Sequence, residues 1–365
     1  MTTVHNFNAG PAALPRPVLE QVQAELLDYH GRGTSIMEMS HRSKEYEAIN
    51  TRAEANFKRL IGVGVGVGDG YRALFVHGGA STQFATIPMN FLPKGGTADY
   101  VVTGTWGEKA IEEAALFGTG HLAASTKDGH YNRVPTRGEI HLSPSPAYVH
   151  ITSNETIQGV QYADFPDLGD APLVADMSSD ILSRPIDAKR FSLIYAGAQK
   201  NLGPSGLAVV LIRESWMERA NKGVPTILRY AIQAKNNSLY NTPPMFAVYV
   251  LDLVLQWLDQ QGGVAGIARV NEAKAKAIYD AIDNSGGFYK GHAEPGSRSK
   301  MNVTFRLPSE DLEKAFLTQT QDASMLDLAG HRSVGGVRAS IYNAIGLDAC
   351  QALASFMGDF ARRNG

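Results

Sequence analysis

The chain has 365 residues, of which 44% are hydrophobic and 19% are charged, and its formal net charge at pH 7 is −2. This length exceeds what a single core accommodates, so we expect two domains, and the near-neutral charge gives no reason to expect nucleic acid or an anionic membrane as a partner. The one cysteine, Cys350, excludes an intramolecular disulfide and argues against a cysteine-ligated metal site.

Two stretches bear on the cellular compartment. The first eight residues have neither a basic start nor an apolar core, so we expect no signal peptide. The most apolar helical stretch, Met245–Leu258, is short and is interrupted by Asp252, which argues against a membrane span. We therefore expect a cytoplasmic protein.

The first elements expected along the chain are two helices. They are predicted over Pro17–Tyr29 and over Lys44–Leu60, where apolar residues recur at helical spacing. The glycines of residues 61–70 alternate strictly, so Gly-x-Gly-x-x-Gly never occurs there, which argues against a dinucleotide-binding fingerprint. We interpret this segment as a flexible surface connection.

Short apolar runs then alternate with helical segments. Strands are expected at residues 73–76, 98–102, 148–151, 173–175, 193–196 and 207–212. Helices are expected to begin near Thr82 and Gly107, between the first three strands. This alternation predicts an α/β fold with a mostly parallel sheet and helices on both faces.

Beyond Gly262 the pattern changes. A long helix (Val264–Asp283), a strand (Asn302–Leu307), a helix from Pro308 and a hairpin-like region (326–341) follow one another. We therefore predict a large α/β domain over residues 16–261 and a smaller α+β domain formed by residues 1–15 together with 262–365.

Lys200 and Asp176 carry the strongest chemical signal. Each directly follows or closes a buried apolar strand, and small residues surround both. A lysine held at the end of a buried strand has its charged form disfavoured, which makes its amine available for imine chemistry. An aspartate partner for a ring nitrogen and a lysine that forms a Schiff base together suit pyridoxal phosphate. Taken singly, the lysine could be a solvated loop residue and the aspartate a helix cap.

Three further motifs follow predicted strands. His77–Gln83 joins a strand to a helix through two glycines, so the amides of Ala80 and Ser81 could bind a phosphate. Trp106 lies between small residues and could stack on an aromatic cofactor, although a tryptophan is more often part of a core. Thr156 is expected at the same edge of the sheet.

Two His-Arg pairs suggest an anionic substrate. His41 and Arg42 form one pair, His331 and Arg332 form the other, and Arg338 follows shortly after. Arginine binds carboxylate and phosphate through two parallel hydrogen bonds, so these residues suit a doubly anionic small molecule, whereas any one of them could also be solvated surface charge. No histidine pair has the spacing of metal ligands next to a carboxylate, so we expect no metal.

Taken together, these motifs resemble those of the phosphoserine aminotransferases, which are class-V, fold-type I pyridoxal-phosphate enzymes. The resemblance runs nearly end to end. The matching stretches are residues 8–12, 33–42, 77–81, 154–159, 175–179, 195–201, 241–244 and 330–344.

The resemblance implies a role for each matching residue. Lys200 would form the Schiff base with the cofactor, and Asp176 would pair with its ring nitrogen. The remaining cofactor-binding residues would be Gln199, Trp106, Thr156, Ser178, Ala80, Ser81 and, from the neighbouring subunit of a homodimer, Asn241 and Thr242. Arg338 would hold the substrate α-carboxylate. The distal phosphate or carboxylate would be bound by His41, Arg42, His331 and Arg332.

The implied reaction is reversible transamination of 3-phosphohydroxypyruvate with glutamate, which gives O-phosphoserine and 2-oxoglutarate in serine biosynthesis. A related step of pyridoxine biosynthesis is also implied. Some members of the family carry arginine at the position of Ser81 and serine at that of Ala9, so the preference for phosphate over carboxylate is open. The alternatives are a class-V aminotransferase acting on alanine or serine with glyoxylate, a desulfurase, a nicotinamide-dependent oxidoreductase and a non-catalytic binding protein. The position of Cys350 in a predicted helix argues against the desulfurase, and the retention of Lys200 and Asp176 argues against a binding protein.

Overall fold

A computed structural model describes residues 4–64 and 70–365 of the chain. The strands are β1 (His5–Asn6), β2 (Tyr71–His77), β3 (Thr97–Val102), β4 (Thr119–Ser125), β5 (Val149–Thr152), β6 (Asn154–Glu155), β7 (Val160–Gln161), β8 (Leu173–Asp176), β9 (Leu193–Gly197), β10 (Leu207–Arg213), β11 (Lys290–Gly291), β12 (Asn302–Arg306), β13 (Met325–Leu326) and β14 (Val337–Ser340). The α-helices are α1 (Arg16–Glu25), α2 (Lys44–Ile61), α3 (Ala80–Phe91), α4 (Thr105–Ala114), α5 (Glu214–Met217), α6 (Tyr230–Lys235), α7 (Met245–Gln260), α8 (Gly263–Asp283), α9 (Glu310–Asp322) and α10 (Leu347–Asn364).

A seven-stranded sheet forms the centre of the molecule, in the order β2-β10-β9-β8-β5-β3-β4. Strand β10 runs antiparallel to both of its neighbours, and the other adjacent pairs are parallel. The carboxyl ends of every strand except β10 therefore lie along one edge. The mostly parallel sheet expected from the sequence is confirmed.

Helices cover both faces of this sheet, because successive side chains of a strand point to opposite sides. Val101, Ala175 and Ile194 pack into one apolar cluster with α2 and α7. Their neighbours Tyr100 and Val174 pack into the cluster on the other face, with α3 and α4. A sheet buried on both faces explains why these strands are nearly continuous apolar runs.

A third apolar cluster belongs to the carboxyl-terminal part of the chain. It combines Phe7 with residues between Ala275 and Phe360, and it lies against the small sheet β11-β12-β14. Strand β1 pairs in parallel with β13, so the first described residues lie beside this part of the chain. Val264 and Ile267 of α8 pack into the core of the large sheet instead. Helix α8 therefore contributes to both cores, and the division into residues 16–261 and 1–15 plus 262–365 stays a prediction.

Some elements differ from the sequence-based expectation. Helix α1 ends at Glu25 rather than near Tyr29, and β4 was not expected. The hairpin-like region over residues 326–341 is confirmed at its centre, where an antiparallel bridge joins Ala329 to Val337 and the N–H of Arg338 donates to the carbonyl of Leu328 (2.8 Å). Its flanking strands pair elsewhere, β13 with β1 and β14 with β12. Half of the predicted glycine-rich connection over residues 61–70 lies outside the described residues, since 65–69 are not among them. Among the helices that the structure describes, we find none with the length and apolar character needed to cross a membrane.

Candidate active site

A cavity of about 480 Å³ opens at the edge where the parallel strands end. The carboxyl ends of β5 and β8 contribute Thr152 and Asp176, and the turn after β9 contributes Lys200. Of the residues expected from the sequence, the cavity brings together Ala80, Ser81, Trp106, Thr156, Asp176, Ser178, Gln199, Lys200, His331 and Arg338. Ligands of open α/β sheets bind at this edge.

The amine of Lys200 is held in place on several sides. Its Nζ donates a hydrogen bond to Oγ1 of Thr156 (2.7 Å) and lies 5.7 Å from the centre of the Trp106 ring. A Cβ added to Gly10 would lie 3.5 Å from Cγ of Lys200, so the backbone there packs directly against the lysine stem. Burial lowers the pKa of Lys200 to about 8, although Asp176 and Glu155 oppose this shift and Arg338 adds to it. About a tenth of the amine is therefore neutral and nucleophilic at pH 7, far more than for an ordinary lysine.

Asp176 is fixed at the end of β8. Its Oδ1 accepts the backbone N–H of Ser178 (2.8 Å), and the Ser178 hydroxyl accepts the N–H of Gly197 (3.0 Å). Burial raises the pKa of Asp176, while its bonds from Ser178 and the charge of Lys200 lower it. A buried carboxylate at the cavity edge is suited to hold a protonated ring nitrogen, because the pair would neutralise the charge.

The junction between β2 and α3 forms an anion cradle. The backbone N–H groups of Ala80 and Ser81 open α3 and have no acceptor within the helix. The first hydrogen bond of the helix is donated by the N–H of Gln83 to the carbonyl of Gly79. A Cβ on Gly78 would lie 2.2 Å from Oγ1 of Thr82, so only glycine fits that turn, where φ is +104°. Open amides at a helix N-terminus attract phosphate.

Trp106 stands at the start of α4, on the cavity wall. Within the described part of the chain, its Nε1 is a buried donor without a partner, and Oγ1 of Thr152 and Oδ1 of Asn154 are likewise unpartnered. All three residues line the cavity. Buried polar atoms are rarely left unpaired, so these atoms indicate a polar ligand.

The anion-binding residues expected from the sequence fall into two groups. Arg338 of β14 and His331 line the cavity, and burial lowers the pKa of both. Arg332 is exposed outside it. His41 and Arg42 precede α2, Asn241 and Thr242 precede α7, and these four residues do not line the cavity of a single chain.

Sequence reasoning missed several residues that shape the cavity. They are Ala9, Gly10, Thr152, Asn154, Ser179 and, behind the wall, Glu155 and Tyr342. Tyr342 donates to the carbonyl of Ala9 (2.7 Å) and receives a bond from Nδ2 of Asn302 (3.1 Å), which closes the site between the two ends of the chain. The signal available for Glu155 was its place between Asn154 and Thr156 in a strand-end motif.

The donor set fits pyridoxal 5′-phosphate. The open amides of α3 match its phosphate, Asp176 its ring nitrogen, the face of Trp106 its ring, and the amine of Lys200 its aldehyde. The fold and this cavity therefore define a pyridoxal-phosphate-dependent enzyme of fold type I.

Comparison with known proteins shows to which family within this class the chain belongs. The model of the family described as "Aminotransferase class-V" matches residues 4–353. The phosphoserine aminotransferase of Herpetosiphon aurantiacus is 58% identical over 363 residues, and the match covers 100% of both chains. The solved phosphoserine aminotransferase of Bacillus circulans subsp. alkalophilus is 55% identical, with a TM-score of 0.96 over 100% of this chain and 99% of that one.

A more distant solved structure is informative about the cofactor. The PLP-bound phosphoserine aminotransferase of Trichomonas vaginalis is 39% identical, with a TM-score of 0.92 over 97% of this chain and 99% of that one. The present chain belongs to the class-V aminotransferases and, within them, to the phosphoserine aminotransferase family.

Proposed function

We propose that this protein transfers an amino group between glutamate and 3-phosphohydroxypyruvate, giving 2-oxoglutarate and O-phosphoserine, and that it acts in serine biosynthesis. The observation that carries the proposal is the position of the Lys200 amine, which lies between Thr156, Trp106 and the acid Asp176 inside one cavity. Full-length identity of 58% to a phosphoserine aminotransferase supports the choice of substrates.

The residues have separate tasks in this reaction. When bound, pyridoxal phosphate supplies an electron sink for the bonds of the substrate α-carbon. Lys200 would hold the cofactor, and its amine would move the proton to and from the substrate α-carbon. Asp176 would stabilise a positive charge on the ring nitrogen, and Trp106 would cover the ring. The amides of Ala80 and Ser81 would hold the phosphate.

Arginine and histidine side chains would orient the two substrates. Arg338 is partly buried in the cavity wall, where a guanidinium can hold an α-carboxylate through two parallel bonds. His331 lies beside it and would meet the distal phosphate of one substrate or the distal carboxylate of the other. Arg332, His41 and Arg42 would complete this anion site. Because both substrates use one cavity, initial rates should follow ping-pong kinetics.

A homodimer would supply what a single chain lacks. Asn241 and Thr242 do not reach the cavity of their own chain, and Thr242 is exposed. Their place in the resemblance is at the cofactor phosphate of the neighbouring subunit. We propose a cytoplasmic homodimer on these grounds.

The proposal is tested by the visible absorbance of the purified protein with bound cofactor, to which O-phosphoserine, glutamate and alanine are added in turn. The expected result is that O-phosphoserine and glutamate bleach the band and alanine does not. A band that ignores O-phosphoserine would retain the aminotransferase and remove the phosphorylated substrate. Bleaching by alanine instead would favour the non-phosphorylated alternative.

A further inference from the structure

Glu155 is a fully buried carboxylate whose contacts point to the wall of the cavity rather than into it. Its exposed fraction is 0%. It is the second residue of β6 and lies between Asn154 and Thr156, both of which line the cavity. A charge at such a position is costly unless it has strong partners.

The partners of Glu155 are two backbone amides at the start of α4. The N–H of Trp106 donates to Oε2 (3.1 Å), and the N–H of Gly107 donates to Oε1 (3.0 Å). The residue before α4, Gly104, has no side chain, so it cannot cap the helix itself. Glu155 takes over this role from a distant part of the chain. Burial raises the pKa of the Glu155 carboxyl group to about 7, although the amides of Gly107 and Trp106 oppose this shift. Its ionised form accepts both amides, and a negative charge suits a helix N-terminus.

The surrounding residues are shaped to admit this carboxylate. A Cβ on Gly104 would lie 2.5 Å from Cδ of Glu155, and one on Gly107 would lie 3.4 Å from Oε1. The φ of Gly104 is 170°, which any residue adopts, so its backbone does not require glycine there. Glycine is required at residue 104 because a side chain there would overlap the carboxyl group of Glu155.

The other buried acids near Lys200 have different partners. Asp176 accepts the amide of Ser178, and Asp180 accepts the hydroxyl of Ser153 and the amide of Gln161. Among these three acids, Glu155 alone holds the backbone that carries Trp106. The indole Nε1 of Trp106 has no partner within the described residues, so no hydrogen bond from the ring itself sets its orientation.

We propose that Glu155 is a positioning residue, which fixes the plane of Trp106 against the cofactor ring by holding the backbone of residues 106 and 107. The proposal rests on the proposed function, since it requires Trp106 to stack on bound pyridoxal phosphate. Thr156, the next residue, bonds the Lys200 amine, so one short segment sets both the covalent and the stacking contact of the cofactor.

The test is Glu155→Gln in the cofactor-loaded protein. Glutamine has nearly the same shape, but its carboxamide can accept only one of the two amides and turns an N–H₂ group toward the other. We expect the dissociation constant for pyridoxal phosphate to rise by about tenfold, and the visible circular dichroism per bound cofactor to fall, because the ring loses a fixed neighbour.

Asp99→Asn provides the matched control. Asp99 is also a fully buried carboxylate that accepts a backbone amide, that of Ser143 (2.7 Å), but it lies on β3 away from the cavity lining. Asp99→Asn should lower the melting temperature, as Glu155→Gln does, but it should leave the visible circular dichroism per bound cofactor unchanged.

A second variant approaches the same contact from the other side. Gly104→Ala places a methyl group against the carboxyl carbon of Glu155 and should reproduce the cofactor phenotype even if Glu155→Gln does not fold. Unchanged cofactor affinity and dichroism in either variant, or equal changes in Asp99→Asn, would overturn the proposal. Failure of the unaltered protein to bind pyridoxal phosphate would instead overturn the proposed function.

Discussion

Lys200 is a partly buried lysine and Lys274 a fully buried one, and they occupy two different regions of the molecule. In each case burial lowers the pKa to about 8. Lys200 stands in the wall of the cavity with one hydroxyl partner, Thr156. Lys274 lies on α8 within the carboxyl-terminal part and has an exposed fraction of 0%.

The two amines differ in how their donors are used. Lys274 donates to three carbonyl oxygens, those of Ile341 (3.0 Å), Tyr342 (2.8 Å) and Ile345 (3.0 Å). An ammonium has three donors, so this one is fully satisfied and no substrate can reach it. Among the described residues, the Lys200 amine donates a hydrogen bond to Thr156 alone, and it adjoins the cavity. A lowered pKa therefore identifies a reactive lysine only when access and an unfilled donor accompany it.

The contrast between the two lysines would fail most clearly if Lys200 were not needed for activity. Lys200→Ala should lower kcat by roughly 10⁴-fold or more, because both the covalent attachment and the general base are lost. Steady-state assays measure this loss, and urea unfolding checks that the variant is folded. Substantial remaining transamination would contradict the role of Lys200.

Lys274→Met should act on stability instead. Three carbonyls would lose their donor in a buried region, and we expect the free energy of unfolding to fall by about 3 kcal/mol. Urea unfolding gives this value, and kcat per folded molecule should stay near that of the unaltered protein. Lys276→Met is the matched control, since this exposed lysine lies on the same helix and its bond in the described part of the chain is to another exposed side chain, that of Asp280. A loss of kcat without a loss of stability would reverse the assignment.

The pKa of Lys200 predicts how cofactor uptake depends on pH. Only the neutral amine attacks the aldehyde, so below about pH 8 the rate should rise about tenfold per pH unit, and above pH 8 it should level off. Stopped-flow absorbance of the cofactor-free protein mixed with pyridoxal phosphate measures the profile. A rate that keeps rising toward the ordinary lysine value, near pH 10.5, would show that burial does not lower this pKa.

The smallest effect is expected at the single partner of Lys200. Thr156→Val removes the oxygen that accepts the bond from Nζ (2.7 Å) and keeps the volume, so the loss is one hydrogen bond of about 1 kcal/mol. This corresponds to roughly a fivefold lower kcat. Thr86→Val, which removes a hydroxyl within α3, serves as the control. Equal losses in both variants would mean that the hydroxyl of Thr156 has no special place in the reaction.

Local sequence was sufficient for the elements that are buried on both faces. Runs such as Leu207–Ile212 carry their own signal, because both faces of the strand are apolar. Strand β4 lacks that signal: it lies at an edge of the sheet, and its sequence, Thr-Gly-His-Leu-Ala-Ala-Ser, is mostly small or polar. The pairing of β13 with β1 joins residues more than 300 positions apart, and no turn pattern encodes it.

The same contrast between local and long-range signals holds for the residues of the site. The places of Lys200 and Asp176 were predictable because Asp176 closes β8, Lys200 lies in the turn just after β9, and strand ends meet at one edge of the sheet. Glu155 and Tyr342 were missed because their roles depend on contacts across 49 and 333 positions. The two His-Arg pairs show the limit, since His331 lines the cavity whereas Arg332, His41 and Arg42 do not. A residue type suited to anions does not reveal which side of the molecule it faces.

The bond from Tyr342 to the carbonyl of Ala9 has a consequence for how the protein is made. Chains emerge from the ribosome amino end first, at about 5–20 residues per second, so Ala9 precedes its partner by roughly 17 to 67 s. Throughout that interval the nascent polypeptide lacks the wall that Tyr342 and Arg338 complete. The catalytic chamber can therefore be completed only after residue 342 has been synthesised, and capture of the cofactor in its final surroundings cannot come earlier.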